Sequence, residues 1–139
     1  MSSQEDELEG NDFGVYPNGR VYYDATTDAV VVQLIGYCPS ALYRLIMNHA
    51  IKLLKAHKTS KMLGNTQQSE VIFPEDQDWT NQNWAPRAIE SGLRYNAIVL
   101  SEDLYGRLAV EQITESAKVV QVKYFKSVEQ AQRWLKKVG

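Results

Sequence analysis

The run Tyr95-Asn96-Ala97-Ile98-Val99-Leu100 restricts the folds open to this 139-residue chain more than any other feature. It is almost wholly apolar and follows Gly92, and the segment before it carries Trp79, Trp84 and Pro86-Arg87 in a helical pattern. An apolar run of strand length is buried on both faces, so a helix feeding such a strand belongs to a sheet covered by helices. Tryptophan needs a large pocket or a stacking partner. Two of them beside an arginine mark either a helix–sheet seam or a binding face.

The rest of the chain alternates in the same way. Val21-Tyr22-Tyr23-Asp24 and Ala29 to Ile35 are β-branched and aromatic runs joined by Ala25-Thr26-Thr27-Asp28, short enough for a hairpin. From Ser40, the residues Leu42, Leu45, Ile46, Ala50, Leu53 and Leu54 make one helical stripe ending near His57. Lys61-Met62-Leu63 reads as a short central strand ending in the polar loop Gly64 to Ser69. Pro74 with Glu75, Asp76 and Asp78 predicts a helix start, and Pro86 predicts a break or kink that leaves two short pieces, the second closed by Gly92. A further helix follows Ser101-Glu102-Asp103 through Ile113, and Lys118 to Phe125 alternates as the last strand. Ser127 with Gln130 has capping-box spacing and opens a terminal helix whose stripe is Ala131, Trp134, Leu135 and Val138. The order ββαβαβαβα predicts an α/β fold: a four- to five-stranded, mostly parallel sheet, one antiparallel edge hairpin and helices on both faces.

Size and charge fit one domain, expected over residues 15–139. Residues 1–14 hold Glu5, Asp6, Glu7, Glu9 and Asp12 without a Lys or Arg, so the leader supplies −5 of the net −2 and the remainder about +3. Such a segment predicts a solvated, disordered acidic leader. Its acidity is unlike a signal peptide, and the longest apolar stretch, Ala29 to Tyr37, is far short of the ~20 residues a bilayer span needs. A cytoplasmic location without membrane insertion is the expectation. Cys38 is the only cysteine, which excludes an intramolecular disulfide. Lys52, Lys55, Lys58 and Lys61 gather around one helix end, where cations offset the dipole, and no interleaved aromatics accompany them as a nucleic-acid site would require.

The element order, together with Trp79-x4-Trp84-x-Pro86-Arg87, Gly92, the Tyr95–Leu100 strand and Tyr124-Phe125-x-Ser127-x-Glu129-x-Ala131-x-x-Trp134-Leu135, resembles the small single-domain bacterial STAS-like proteins. Those share their fold with the sporulation anti-sigma-factor antagonists. The resemblance spans about residues 20–138 and implies protein–protein regulation or small-ligand binding, not catalysis. The antagonist branch carries an Asp-Ser-x-Gly turn with a phosphorylatable Ser at a helix start. Here Ile72-Phe73-Pro74-Glu75-Asp76 has no Ser, so a phospho-switch is not expected there. The small-protein branch often has an Asp in the loop after the central strand, and Asn65 stands in its place.

Reactive groups are sparse. His49 and His57, eight apart, diverge by about 80° on a helix, and no second ligand stands at metal spacing. Cys38 precedes a helix without an oxyanion context and reads as a packed residue. Glu75, Asp76 and Asp78 read as surface that complements a helix dipole. No phosphate-binding glycine motif exists, and no cofactor, metal or catalytic residue is expected. One site remains, the rim formed by Asn65, Thr66, Gln67 and Gln68 with Trp79, Trp84 and Arg87, because open α/β sheets bind ligands beyond the carboxyl ends of strands. On a helix the two tryptophans lie about 140° apart, so one is expected buried and the other partly exposed. Arg87 is expected to pair with Glu90 or a helix-start acid. Tyr16, Tyr22 and Tyr23 either support a homodimer edge or cover the sheet. The reading preferred from sequence is a non-catalytic regulatory or protein-interaction module. Its alternative is a lipid- or small-ligand-binding domain with an enclosed apolar pocket of at least ~300 Å³ lined by Trp or Tyr.

Overall fold

The structure, a computed structural model, describes residues 12–70, 72–111 and 119–139. Its elements are β1 (Phe13–Tyr16), β2 (Gly19–Asp24), β3 (Ala29–Gly36), α1 (Ser40–His57), β4 (Lys61–Ser69), α2 (Pro74–Trp79), a π-helical turn (Thr80–Trp84), α3 (Ala85–Glu90), β5 (Tyr95–Val99), α4 (Glu102–Glu111), β6 (Gln121–Phe125) and α5 (Val128–Lys137). The expected α/β class holds, but among the described residues the sheet has six strands instead of four or five. The added strand is β1, which begins at Phe13 within the segment expected as leader; residues 1–11 of that leader lie outside the described residues, as do Ile113 and Lys118.

Strand order follows the chain, β1-β2-β3-β4-β5-β6, antiparallel through β3 and parallel from β3 onward. A parallel sheet that advances one strand at a time with right-handed crossovers puts its connecting helices on a single face. α1 and α3 accordingly share one core with Val30, Val32, Met62 and Trp84. The opposite face is covered by α5, whose Ala131 and Leu135 pack on Leu63, Ala97, Val99 and Phe125 across β4, β5 and β6. Helices on both faces are therefore observed. The alternation along β3 explains both cores, since Val30 and Val32 face α1 while Ala29 and Val31 face the other way.

Two local departures from the expectations, and the form of one expected break, have physical causes. The α1 stripe is rotated: Tyr43, Met47 and His49 are buried alongside Ile46 and Leu53, while Leu42 and Leu45 are only partly so. The polar stretch Gly64 to Ser69 is strand, not loop, because β3 and β5 flank it and supply its backbone partners. A bulge near Asn65–Gln68 accommodates one extra residue against β3. Finally, the helix expected to break or kink at Pro86 into two short pieces does divide into α2 and α3, and the division is a widened turn. Ala85 N–H donates to Thr80 O, an i→i−5 bond, and Pro86 then sits in the first turn of α3, where its missing N–H costs little. Gly92 at φ +112° then turns the chain toward β5.

Candidate functional site

The carboxyl ends of β3 and β4 lead directly into α1 and α2, so the first turns of these helices meet at one edge of the sheet. Ser40 Oγ, at the start of α1, donates to Asp76 Oδ2 at 2.8 Å. Arg44 Nε, one turn later, lies 3.6 Å from Asp76 Oδ1. Asp76 is 1% exposed, which corrects its expected role as dipole-complementing surface. The signal was its spacing: Asp76, Trp79 and Thr80 fall at i, i+3 and i+4, on the inward face of one helix. Thr80 Oγ1 donates to Asp76 O at 2.7 Å, so the Tyr43 hydroxyl, 2.7 Å from Thr80 Oγ1, is the donor to Thr80. Burial pushes the Tyr43 hydroxyl above its ordinary pKa. The whole set clasps α1 to α2. Asp76 Oδ2 is hydrogen-bonded to Ser40, while Oδ1 and Arg44 Nε, both buried, face each other at ion-pair distance without a hydrogen bond.

Trp84 and Trp79 divide as their offset predicts. Trp84 is 3% exposed and donates its indole N–H to Met47 O at 2.7 Å, closing the seam between α1 and α3. Trp79 is partly buried, with the Arg44 guanidinium 5.1 Å and the Arg87 guanidinium 5.9 Å from its ring centroid and Tyr43 edge-on at 6.1 Å. Arg87 does not make the acid pair expected of it. Its Nη2 donates to Asn48 Oδ1 at 2.8 Å and Asn83 Oδ1 at 2.8 Å. This arrangement ties α3 to α1 through a neutral acceptor pair and a cation–π contact.

The other half of the predicted rim lies elsewhere. Asn65 is two residues beyond Leu63 along β4 and so faces the α5 side of the sheet, whereas both tryptophans and Arg87 belong to the α1 side. Asn65 Oδ1 accepts from Gln67 N–H at 3.2 Å, Thr66 Oγ1 donates to Val99 O at 2.8 Å, and Gln67 Nε2 donates to Lys126 O at 2.9 Å. The first bond is local to β4, and the other two hold the carboxyl ends of β4, β5 and β6 together. The structure thus brings Trp79, Trp84 and Arg87 into one cluster, while Asn65 lies across the sheet from it and Thr66 and Gln67 are tied to Val99 and Lys126.

Other reactive groups have structural partners. Burial, and secondarily the Asp76 charge, push the Cys38 thiol up from its ordinary pKa. His49 is fully buried with Nδ1 2.8 Å from the Tyr16 hydroxyl. His57 Nε2 lies 2.8 Å from Asp12 Oδ1, and its ring stacks on Tyr23 at 3.7 Å.

Two features were missed from sequence. On the α5 side, the described helices leave the hairpin end of the sheet open: Phe13 is 49%, Val15 65% and Ile35 41% exposed, with Phe13 stacked on Tyr22 at 5.4 Å. Tyr37 and Phe73, 5.6 Å apart and both exposed, form a separate apolar pair past the end of β3. The second feature is an open groove of about 330 Å³ between β6 and α5, lined by Tyr105, Lys123, Phe125, Arg133, Trp134 and Lys137 among others. A further open groove of about 420 Å³ lies between the ends of α1 and α3, around Lys58, Ser60 and Ser91. Neither groove is lined by Trp79 or Trp84.

The chain matches no family model, no curated protein and no solved structure.

Proposed function

We propose that this chain is a non-catalytic protein-interaction module of STAS-like type, lacking a phosphorylatable Ser at the Ile72–Asp76 helix start, and that its contact face is the open side of β1–β3. The observation carrying this reading is the exposure of Phe13, Val15 and Ile35 on one sheet face beside the edge strand β1. Large apolar side chains gathered on a face, as opposed to scattered singly, mark interaction sites. The partner best supported is a second copy, because a self-complementary patch closes about a two-fold axis without leaving apolar surface open. Three strands spaced ~4.8 Å apart and eight residues at ~3.3 Å span roughly 14 by 26 Å. That is below the ~800 Å² per partner of a standard interface, so the dimer is a weak, exchanging one.

Sedimentation velocity over a concentration series is the test. The wild-type chain should shift from monomer toward dimer as concentration rises, while Val15→Asp and Ile35→Asp should stay monomeric with thermal melts close to wild type. A wild-type chain that stays monomeric at its highest soluble concentration, or variants that dimerise as before, would overturn the reading.

A further inference from the structure

Helix α5 carries two adjacent stripes. Ala131 and Leu135 form the buried one. Gln130, Arg133, Trp134 and Lys137 recur at i, i+3, i+4 and i+7, so they share a second face, and all four line the groove against β6. Across it stand Lys123, from β6, and Tyr105, from the first turn of α4, with the Phe125 ring 5.7 Å from Trp134 between them. Among the described residues, three cations thus meet four aromatic rings, those of Tyr105, Tyr124, Phe125 and Trp134, and no carboxylate lines the groove.

Helix-dipole compensation accounts for part of this charge but not all of it. Lys137 lies in the last turn of α5, where a cation is stabilising without a ligand. Arg133 is a turn further back and Lys123 lies on a strand, so neither is placed by the dipole. Among the described residues neither has an ion-pair partner. Lys123 Nζ instead sits 5.7 Å from the Phe125 ring centroid. Three cations held near one another without an acid repel, and an anion in the groove relieves that repulsion.

We propose that this groove binds a nucleoside phosphate, its phosphates against Lys123, Arg133 and Lys137 and its base against the exposed parts of Trp134 and Tyr105. The charge requires an anion, and the rings favour a flat group on the same molecule. A volume of about 330 Å³ lies at the small end of ligand sites, enough for a single nucleotide and too little for a large cofactor. An acyl chain would need the enclosed apolar pocket that this open groove does not supply. Because the groove is open, binding is weak and sensitive to salt.

The test is a tryptophan-fluorescence titration of the full chain with ADP, AMP, adenosine, inorganic phosphate and a single-stranded oligothymidylate, at low and moderate ionic strength. ADP should quench saturably and more tightly than AMP, with affinity falling several-fold as salt rises. Adenosine and phosphate alone should each bind about tenfold more weakly than ADP, and the double variant Arg133→Gln/Lys137→Gln should weaken ADP about tenfold at an unchanged thermal melt. Both substituted positions are exposed, so folding is preserved. Oligothymidylate binding far tighter than ADP assigns the source to a nucleic-acid strand, and equal or weaker binding assigns it to a free nucleotide. The proposal is overturned by three results: no saturable response to ADP, a double variant with wild-type affinity, or phosphate binding as tightly as ADP. The dimer reading is independent of this outcome, since Val15 and Ile35 lie on β1 and β3.

Discussion

Replacing each tryptophan of the α2–α3 segment by alanine separates a structural seam from a surface clasp. The Trp84 side chain is 3% exposed, and a tryptophan buries roughly 150–250 Å², so at ~25 cal/mol per Å² its removal forfeits about 4–6 kcal/mol as an upper bound. Measured Trp→Ala substitutions in cores cost about 3–5 kcal/mol, so about 4 is expected here. Losing the indole N–H bond to Met47 O adds little, because that carbonyl lies mid-helix and keeps its own helical donor. Trp79 is only partly buried, and its two guanidinium contacts are worth about 0.5–1 kcal/mol each at such a site. Trp79→Ala should therefore cost about 2 kcal/mol, half as much. Urea unfolding followed by far-ultraviolet circular dichroism measures both, and a domain of ordinary stability, about 5–15 kcal/mol, survives either change. If Trp79→Ala costs as much as Trp84→Ala, the division into a buried seam and a half-exposed clasp is wrong.

Three further outcomes are expected. The Tyr23 hydroxyl donates to Asp28 Oδ1 at 2.6 Å, and that bond, followed by burial and the charges of Asp28, Asp24 and Asp12, raises its pKa from 10.0 to about 12. A raised folded value favours the protonated form in the native state, so this contribution to stability is full below pH 10 and is lost as pH climbs toward 12. An ultraviolet absorbance titration should show a late-ionising tyrosine that Tyr23→Phe removes; an unchanged titration would contradict the assignment. In Gly14→Ala the new Cβ would stand 2.5 Å from His49 Cε1 and 2.8 Å from Nδ1, so β1 must lift from α1 at about 1–3 kcal/mol. A thermal melt equal to wild type would show that β1 is not held against His49. With its thiol pKa pushed up by burial, Cys38 should react with Ellman's reagent far more slowly in the native chain than in urea, and rapid native labelling would count against a packed thiol.

How far the sequence could be read depended on where the stabilising partner lay. Ser127 accepts from Gln130 N–H at 3.2 Å as its capping spacing predicted, because cap and partner are three residues apart and the motif is complete in itself. Pro74 opens α2 for the same local reason. The polar half of β4 gave no such signal, since Asn65, Gln67 and Gln68 have little strand propensity and are held extended by β3 and β5 from outside. β1 was hidden behind acidic neighbours, and its requirement for glycine at position 14 is imposed by an imidazole 35 residues away in sequence. The buried carboxylate was legible only in retrospect, because the same Asp76 that complements a helix start also lies on the helix's inward face.

The tryptophan pair shows local and distant causes acting together. Pro86 cannot donate to the carbonyl of Gln82, and its ring would clash there in a regular helix. The chain accommodates it by adding a residue to the turn Thr80–Trp84, and a wider turn rotates less per residue than an α-helix. The angle between Trp79 and Trp84 is therefore smaller than the 140° of an unbroken helix. This explains why Trp79 is not expelled to solvent but packs at the margin of the core that Trp84 enters. The same narrowing brings Arg87 within 5.9 Å of the Trp79 ring while its Nη2 reaches Asn48 on α1. A single imino acid thus sets the geometry of the whole cluster. Restoring the missing donor with Pro86→Ala should let the segment revert toward a regular helix, turning Trp79 outward and loosening the Arg87–Asn48 bond.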